Sequence, residues 1–286
     1  MMNKQKIALL VDTCIDVPAA LVEQYKMYTI PLKIIYSDGE YSDGVNITAD
    51  EVYNRLKVEI PKTSLPSSIE VMEKLDQIKT DGYEKVLAVT LSSGLSGTHN
   101  LVTMLAKEYD GLDIKVIDTL NIGIAAGFSA IQAAKYIEEG MEFEELVETV
   151  QNNVPKIKVF FCVDTLEYLQ KGGRIGLVAS LLGNALNLKP IISCNPEGIY
   201  YNIAKVRGRK KSLDKIVDLA KEFAAEGKKL NVAVCHGGAP EEAAGVRKAL
   251  TEALSNIETY VEGQISPALG VHTGPGLVGV AVQILE

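Results

Sequence analysis

Cysteine and histidine are scarce in this 286-residue chain, four and three respectively, and neither set is arranged to hold a metal or a disulfide framework. Cys14, Cys162, Cys194 and Cys235 are widely spaced and form no Cys-x-x-Cys pair. Most sit in apolar runs such as Phe160-Phe161-Cys162-Val163, so they read as reduced, mainly buried thiols. His99, His236 and His272 contain no helical pair, which removes the usual metal spacing. Cys235 and His236 are adjacent, but neighbours in a strand point to opposite faces and do not make a nucleophile and base. No apolar run approaches the roughly 18 residues of a membrane span. The N-terminal Met-Met-Asn-Lys-Gln-Lys leads straight into strand-like Ile7 to Val11, so a cytoplasmic protein is expected. A net charge of −8 lacks the basic excess of a nucleic-acid binder, leaving small molecules and proteins as expected partners. Two catalytic signatures are also missing. There is no Gly-x-x-x-x-Gly-Lys-[Ser/Thr] loop, and Gly94-Leu95-Ser96-Gly97-Thr98 has threonine where a nucleophile elbow needs its second glycine.

What is present is an α/β rhythm. Apolar residues make up 47% of the chain, enough for a sizeable core in two domains or one large one. Strand-like runs at 7–11, 30–36, 86–91 and 114–117 alternate with helical patterns near 18–25, 49–57, 67–80, 99–109, 121–139 and 142–154. That alternation predicts a mainly parallel sheet flanked by helices. From Val159 the character changes, with strands at 159–163, 191–194, 199–201, 230–235, 259–262 and 279–285 and helices at 166–170, 177–186, 211–225 and 240–253. A boundary near Lys156 divides the chain into α/β domains 1–155 and 156–286, the second with a mixed sheet.

The polar residues cluster at the ends of these elements. The run Val86 to Thr98 ends in four hydroxyls and two glycines before a helix, which suits an anion but equally suits a helix cap by Ser92, Ser93 or Ser96. Between Pro61 and Pro66, Thr63 and Ser64 lie far enough from the next helix to face a ligand, while Ser67 or Ser68 caps it. Gly274-Pro275-Gly276-Leu277-Val278-Gly279 matches Gly-x-Gly-x-x-Gly, but a strand-like run and not a helix follows, with no acidic residue about 20 positions on, so a dinucleotide site is rejected. A tight turn presenting His272 is expected instead, with either a structural or a ligand role for that ring. Arg174, in Lys171-Gly172-Gly173-Arg174-Ile175-Gly176, offers a guanidinium to an anion, a partner or an internal salt bridge. Lys205 to Lys211 packs five cations into seven residues, either a solvated turn or a dock for an acidic partner.

Taken together these segments resemble the DegV family, bacterial fatty-acid-binding proteins that act as FakB-type subunits of fatty acid kinase. The resemblance runs nearly end to end. It is carried by Asp12-Thr13-Cys14-Ile15-Asp16-Val17-Pro18, Tyr41 to Thr48, Pro61 to Ser67, Leu91 to Thr98, Val163 to Leu169, Lys171 to Ile175, Lys205 to Lys211 and His272 to Gly276. The first of these departs from the family's Asp-Ser-Thr-Ala-Asp-like motif. The resemblance implies a long-chain fatty acid such as palmitate held between the two domains and no other cofactor. Its carboxyl group would be held by Thr63 and Ser93, with Ser64, Ser92, Gly94, His272 and Arg174 around it. Arg207, Arg209 and Lys210 would face the ATP-binding kinase subunit, with an acyltransferase and transient membrane contact as further partners. The helices at 123–130 and 177–186 would wall the tunnel, although both read equally well as ordinary core. About fifteen buried methylenes at roughly 0.8 kcal/mol each give an upper bound on the order of 12 kcal/mol. The competing expectations are a Ser-dependent hydrolase, a phosphotransferase related to dihydroxyacetone kinase domains, or a regulatory protein docking through Lys205 to Lys211.

Overall fold

The computed structural model describes residues 3–181 and 188–286. In chain order the first part carries β1 (Ile7–Asp12), α1 (Ala19–Gln24), β2 (Tyr28–Ile30), β3 (Lys33–Tyr36), β4 (Gly39–Ser42), α2 (Ala49–Arg55), β5 (Lys62–Ser64), α3 (Ser68–Thr80), β6 (Lys85–Thr90), α4 (Thr98–Glu108) and β7 (Asp113–Asp118). Two helices follow, α5 (Gly123–Glu138) and α6 (Phe143–Asn153). The remainder carries β8 (Ile157–Cys162), α7 (Glu167–Lys171), β9 (Ile191–Cys194), β10 (Tyr200–Ala204), α8 (Arg209–Ala224), β11 (Leu230–Gly237), α9 (Pro240–Ala253), β12 (Ile257–Gln264), α10 (Pro267–Thr273) and β13 (Leu277–Ile284).

The expected α/β architecture is found. A parallel sheet has the order β2-β1-β6-β7, and a mixed sheet has the order β10-β9-β8-β13-β11-β12. β1 and β6 are covered on both faces, which is why they read as unbroken apolar runs. Ala8, Leu10, Val86 and Ala88 point toward α3 and α4, while Leu9, Val11, Leu87 and Val89 alternate to the other face. On that other face lies α5, buried over almost its whole length and packed against both large sheets. A helix apolar all round belongs in such a position. Its small residues permit close approach, for a Cβ at Gly127 would come within 2.3 Å of the Ile15 carbonyl oxygen. α8 and α9 cover the far face of the six-stranded sheet through Phe160, Val232, Val280 and their neighbours.

Three local features differ from the sequence reading, and all three build the site. The strand expected over 30–36 is split at Pro31, which has no N–H to give a ladder, so β2 joins the parallel sheet and β3 leaves it. β3 instead centres a third, antiparallel sheet of order β4-β3-β5. The hydroxyl loop holding Thr63 and Ser64 is therefore strand β5, with Thr63 opposite Ile34. The turn expected around His272 is helix α10, opened by Ser266-Pro267 and closed by Gly274 at φ 66. Of the helix expected over 177–186, residues 176–181 form a 3-10 helix, and Leu182, Ala185 and Leu186 lie outside the described residues.

Candidate functional site

α10 and β5 bring together two residues 209 positions apart: His272 Nε2 stands 2.7 Å from Thr63 Oγ1. The other ring nitrogen, Nδ1, is buried without a partner. Burial, reinforced by the nearby Arg174 guanidinium, pushes the His272 pKa down to about 4, so the ring is neutral at pH 7. A neutral imidazole has one N–H to place. Assigned from this network, the proton sits on Nε2 and is donated to Thr63, because an N–H on Nδ1 would be buried with no acceptor. The Thr63 hydroxyl then accepts from the ring and keeps its own proton free for a ligand.

Around this pair lies a cavity of about 200 Å³ whose polar wall is Thr63, Ser64, Ser96, Arg174 and His272. Arg174 carries the charge. Its hydrogen bonds run to the carbonyl oxygens of Leu95 and Gly172, and among the described residues no carboxylate pairs with it. The expected internal salt bridge at Arg174 is therefore absent there. Gly172 is what lets the turn lie on the ring, since a Cβ at that position would stand 2.1 Å from His272 Nδ1. Ile122, Tyr200, Leu269 and Thr273 separate this cavity from a narrow apolar void of about 30 Å³, lined also by Val159, Phe161 and Leu277. Ile124, Cys235 and Ile265 in turn separate that void from an open cleft of about 820 Å³.

The second hydroxyl loop does not contribute as expected. Ser92 is fully buried, donates to the Gly198 carbonyl oxygen at 2.8 Å and accepts from Gly94 N, so it ties the loop to the β9–β10 turn and does not face the cavity. Ser93 and Gly94 are exposed and outside the cavity wall, with Ser93 N donating to Asp118. Ser96 is the hydroxyl this loop delivers to the cavity, while its Oγ also accepts from Thr98 N at 3.3 Å. The reason is phase: Ser92 N donates to the Asn121 carbonyl oxygen, while the Ser92 carbonyl oxygen accepts from Leu95 N and Ser96 N in the tight turn closing onto α4, which leaves Ser93 facing outward. No base stands against Ser92, and burial pushes the Cys235 thiol up to about 12.

The basic segment divides in two. Arg209, expected to face a partner, is turned inward in a forked pair with Glu242 and also donates to the Gly276 carbonyl oxygen. Arg207 and Lys210 are exposed. Sequence reading gave no role to Asp12, whose carboxylate accepts from Leu91 N at 2.7 Å and Cys14 N at 2.9 Å and so fixes the start of the hydroxyl loop. The signal was a carboxyl residue closing an otherwise apolar parallel strand, where loops gather at the strand ends.

A family profile described as "Uncharacterised protein, DegV family" matches residues 6–284. The chain belongs to the DegV family. A DegV domain-containing protein of Clostridium acetobutylicum is 39% identical over 278 residues, covering 97% of this chain and 99% of that one. Among solved structures, a fatty acid binding DegV family protein from Thermus thermophilus superposes with a TM-score of 0.92 at 27% identity, over 98% of this DegV chain and 99% of its own. A stearic acid-binding protein from Eubacterium ventriosum gives 0.88 at 27% identity, over 97% and 98%. Among the described residues of this DegV protein no helix is long and apolar enough to cross a membrane, and no group of three or more His, Cys, Asp or Glu is placed to hold a metal ion.

Proposed function

We propose that this DegV protein binds a long-chain fatty acid, with its carboxylate at Arg174, Thr63, Ser96 and His272 and its chain running into the apolar void. The observation that carries this reading is a guanidinium with no carboxylate partner among the described residues, beside a hydroxyl and a neutral imidazole in a cavity that adjoins a narrow apolar void. A carboxylate is costly to bury bare and is stabilised by charge-assisted donors. Stearic and related acids bound by structural neighbours agree with the chemistry. The enclosed volumes of 200 and 30 Å³ fall short of the roughly 300 Å³ at which ligand pockets usually begin, so Tyr200 and Leu269, common to both chambers, rotate aside as the chain enters.

In this reading residues 1–155 supply Thr63 and Ser96, and residues 156–286 supply Arg174 and His272, as two domains closing on the ligand. The protein acts as a carrier: it presents the carboxyl group to an ATP-binding kinase subunit, docked against Arg207 and Lys210, and the acyl phosphate passes to an acyltransferase. The ATP chemistry belongs to the partner. Denaturing extraction of purified protein followed by lipid mass spectrometry should release stoichiometric fatty acid, and delipidated protein should bind stearate on titration. Thr63→Val, Ser96→Ala and His272→Gln should each weaken stearate tenfold or more, and Ser93→Ala should not. Absence of both bound lipid and stearate binding would overturn the reading.

A further inference from the structure

The three-stranded sheet β4-β3-β5 touches α10 at two places one helical turn apart. At the far end of the helix, β5 places Thr63 against His272. At the near end, Asp43 directly follows β4 and accepts from Ala268 N at 2.8 Å. Asp43 is fully buried, and its second oxygen accepts from the Thr13 hydroxyl at 2.6 Å, while Thr13 Oγ1 accepts from Leu32 N at 3.2 Å. Its carboxyl is thus braced on one side and committed to the helix on the other. No lysine, arginine or histidine pairs with it among the described residues, so its side-chain partners are the Ala268 amide, the Thr13 hydroxyl and the Cys14 thiol at 3.9 Å rather than a counter-charge.

α10 has seven residues, too few to hold its shape alone. Ala268 and His272 are four residues apart, on one face and about 6 Å along the axis. A shift of the first turn therefore carries the imidazole with it, and a 2.7 Å contact to Thr63 does not survive an ångström of displacement. Asp16 adds a second hold, accepting from Ser266 N at 3.1 Å, but it comes from the turn after β1 and not from this sheet.

We infer that Asp43 is a positioning residue for the head-group site: the sheet grips α10 at Ala268 through Asp43 and at His272 through Thr63, and the distance between those grips sets where the imidazole stands. The inference rests on the proposed carboxylate site for its consequence in binding, but the placement of His272 is measurable without ligand. In Asp43→Ala the His272 ring should lose its burial and its Thr63 contact. Its ¹⁵N signals, assigned against His272→Gln, should titrate near the ordinary histidine value, and stearate affinity should fall at least tenfold. Asp43→Asn keeps an oxygen for Ala268 N and should stay within threefold of the parent with an unshifted His272. Thr13→Val, which removes the brace but leaves the carboxyl, should shift His272 in the same direction by less. It serves with Asp43→Asn if the alanine variant does not fold. A folded Asp43→Ala or Thr13→Val protein with parental His272 signals and parental stearate affinity overturns the inference. Failure of the parent protein to bind stearate would overturn the proposed function instead, leaving the His272 signals to judge the grip.

Discussion

His272 and Asp12 respond to pH with opposite signs, and the difference is measurable residue by residue. Burial lowers His272 to about 4 from 6.5, so its contribution to stability is present above pH 6.5 and is lost as pH falls toward 4. Burial raises Asp12 to about 7 from 3.8, against the two backbone amides that favour its charged form. Its contribution is present below pH 3.8 and is lost as pH rises through 7. Between pH 4 and 6.5 the two slopes oppose each other, each integrating to on the order of 3 kcal/mol. Urea unfolding at stepped pH should therefore show the stability difference between parent and His272→Gln growing with rising pH across this window, and that between parent and Asp12→Asn shrinking. Parallel slopes in the two variants would contradict the assignment. Neither shift is visible in the sequence, because each is the product of burial that only the folded chain creates.

Among the elements, α7 and its following turn matter most to the imidazole. Gly172 has φ −78, an ordinary value, so Gly172→Ala meets no backbone strain, yet its Cβ would stand 2.1 Å from His272 Nδ1. Stearate affinity should fall tenfold or more in this variant while its circular dichroism and cooperative unfolding remain; unchanged affinity would mean that the ring is not held against this turn. Most elements were legible because their periodicity reports burial on one face or two: the apolar run Ile7 to Val11 in β1, the alternating faces of β6 and the unbroken α5 are examples. β5 and α10 were not. Lys62-Thr63-Ser64 is three polar-leaning residues whose strand conformation comes from pairing with β3, and α10 hides its Ser-Pro start and Gly stop among five closely spaced glycine and proline residues. Both elements owe their form to neighbours distant in sequence.

For the whole molecule, the exposed cations at Arg207 and Lys210 lie apart from the cavity wall, so the proposed partner docking and the proposed ligand binding are separable by mutation. Arg207→Glu with Lys210→Glu should abolish capture by the proposed ATP-binding kinase partner in a pull-down and leave stearate titration unchanged; loss of both would contradict the separation. Arg209 is excluded from that test because its pairing with Glu242 and the Gly276 carbonyl makes it part of the framework.

The sequence by itself determined the α/β class, the two large sheets and the rejection of a nucleotide loop and nucleophile elbow, and it singled out Thr63, Arg174 and His272 as candidates. These follow from local periodicity and from residue chemistry, which need no long-range contact to be read. Only the tertiary structure decided that Ser96 and not Ser93 faces the cavity, that Ser92 and Arg209 serve the framework, and that Asp43 reaches α10. In a turn of hydroxyls every position carries the same chemistry, and which one points inward depends on the phase at which the chain enters the next helix. A carboxyl 225 residues from its amide partner is likewise matched by folding alone.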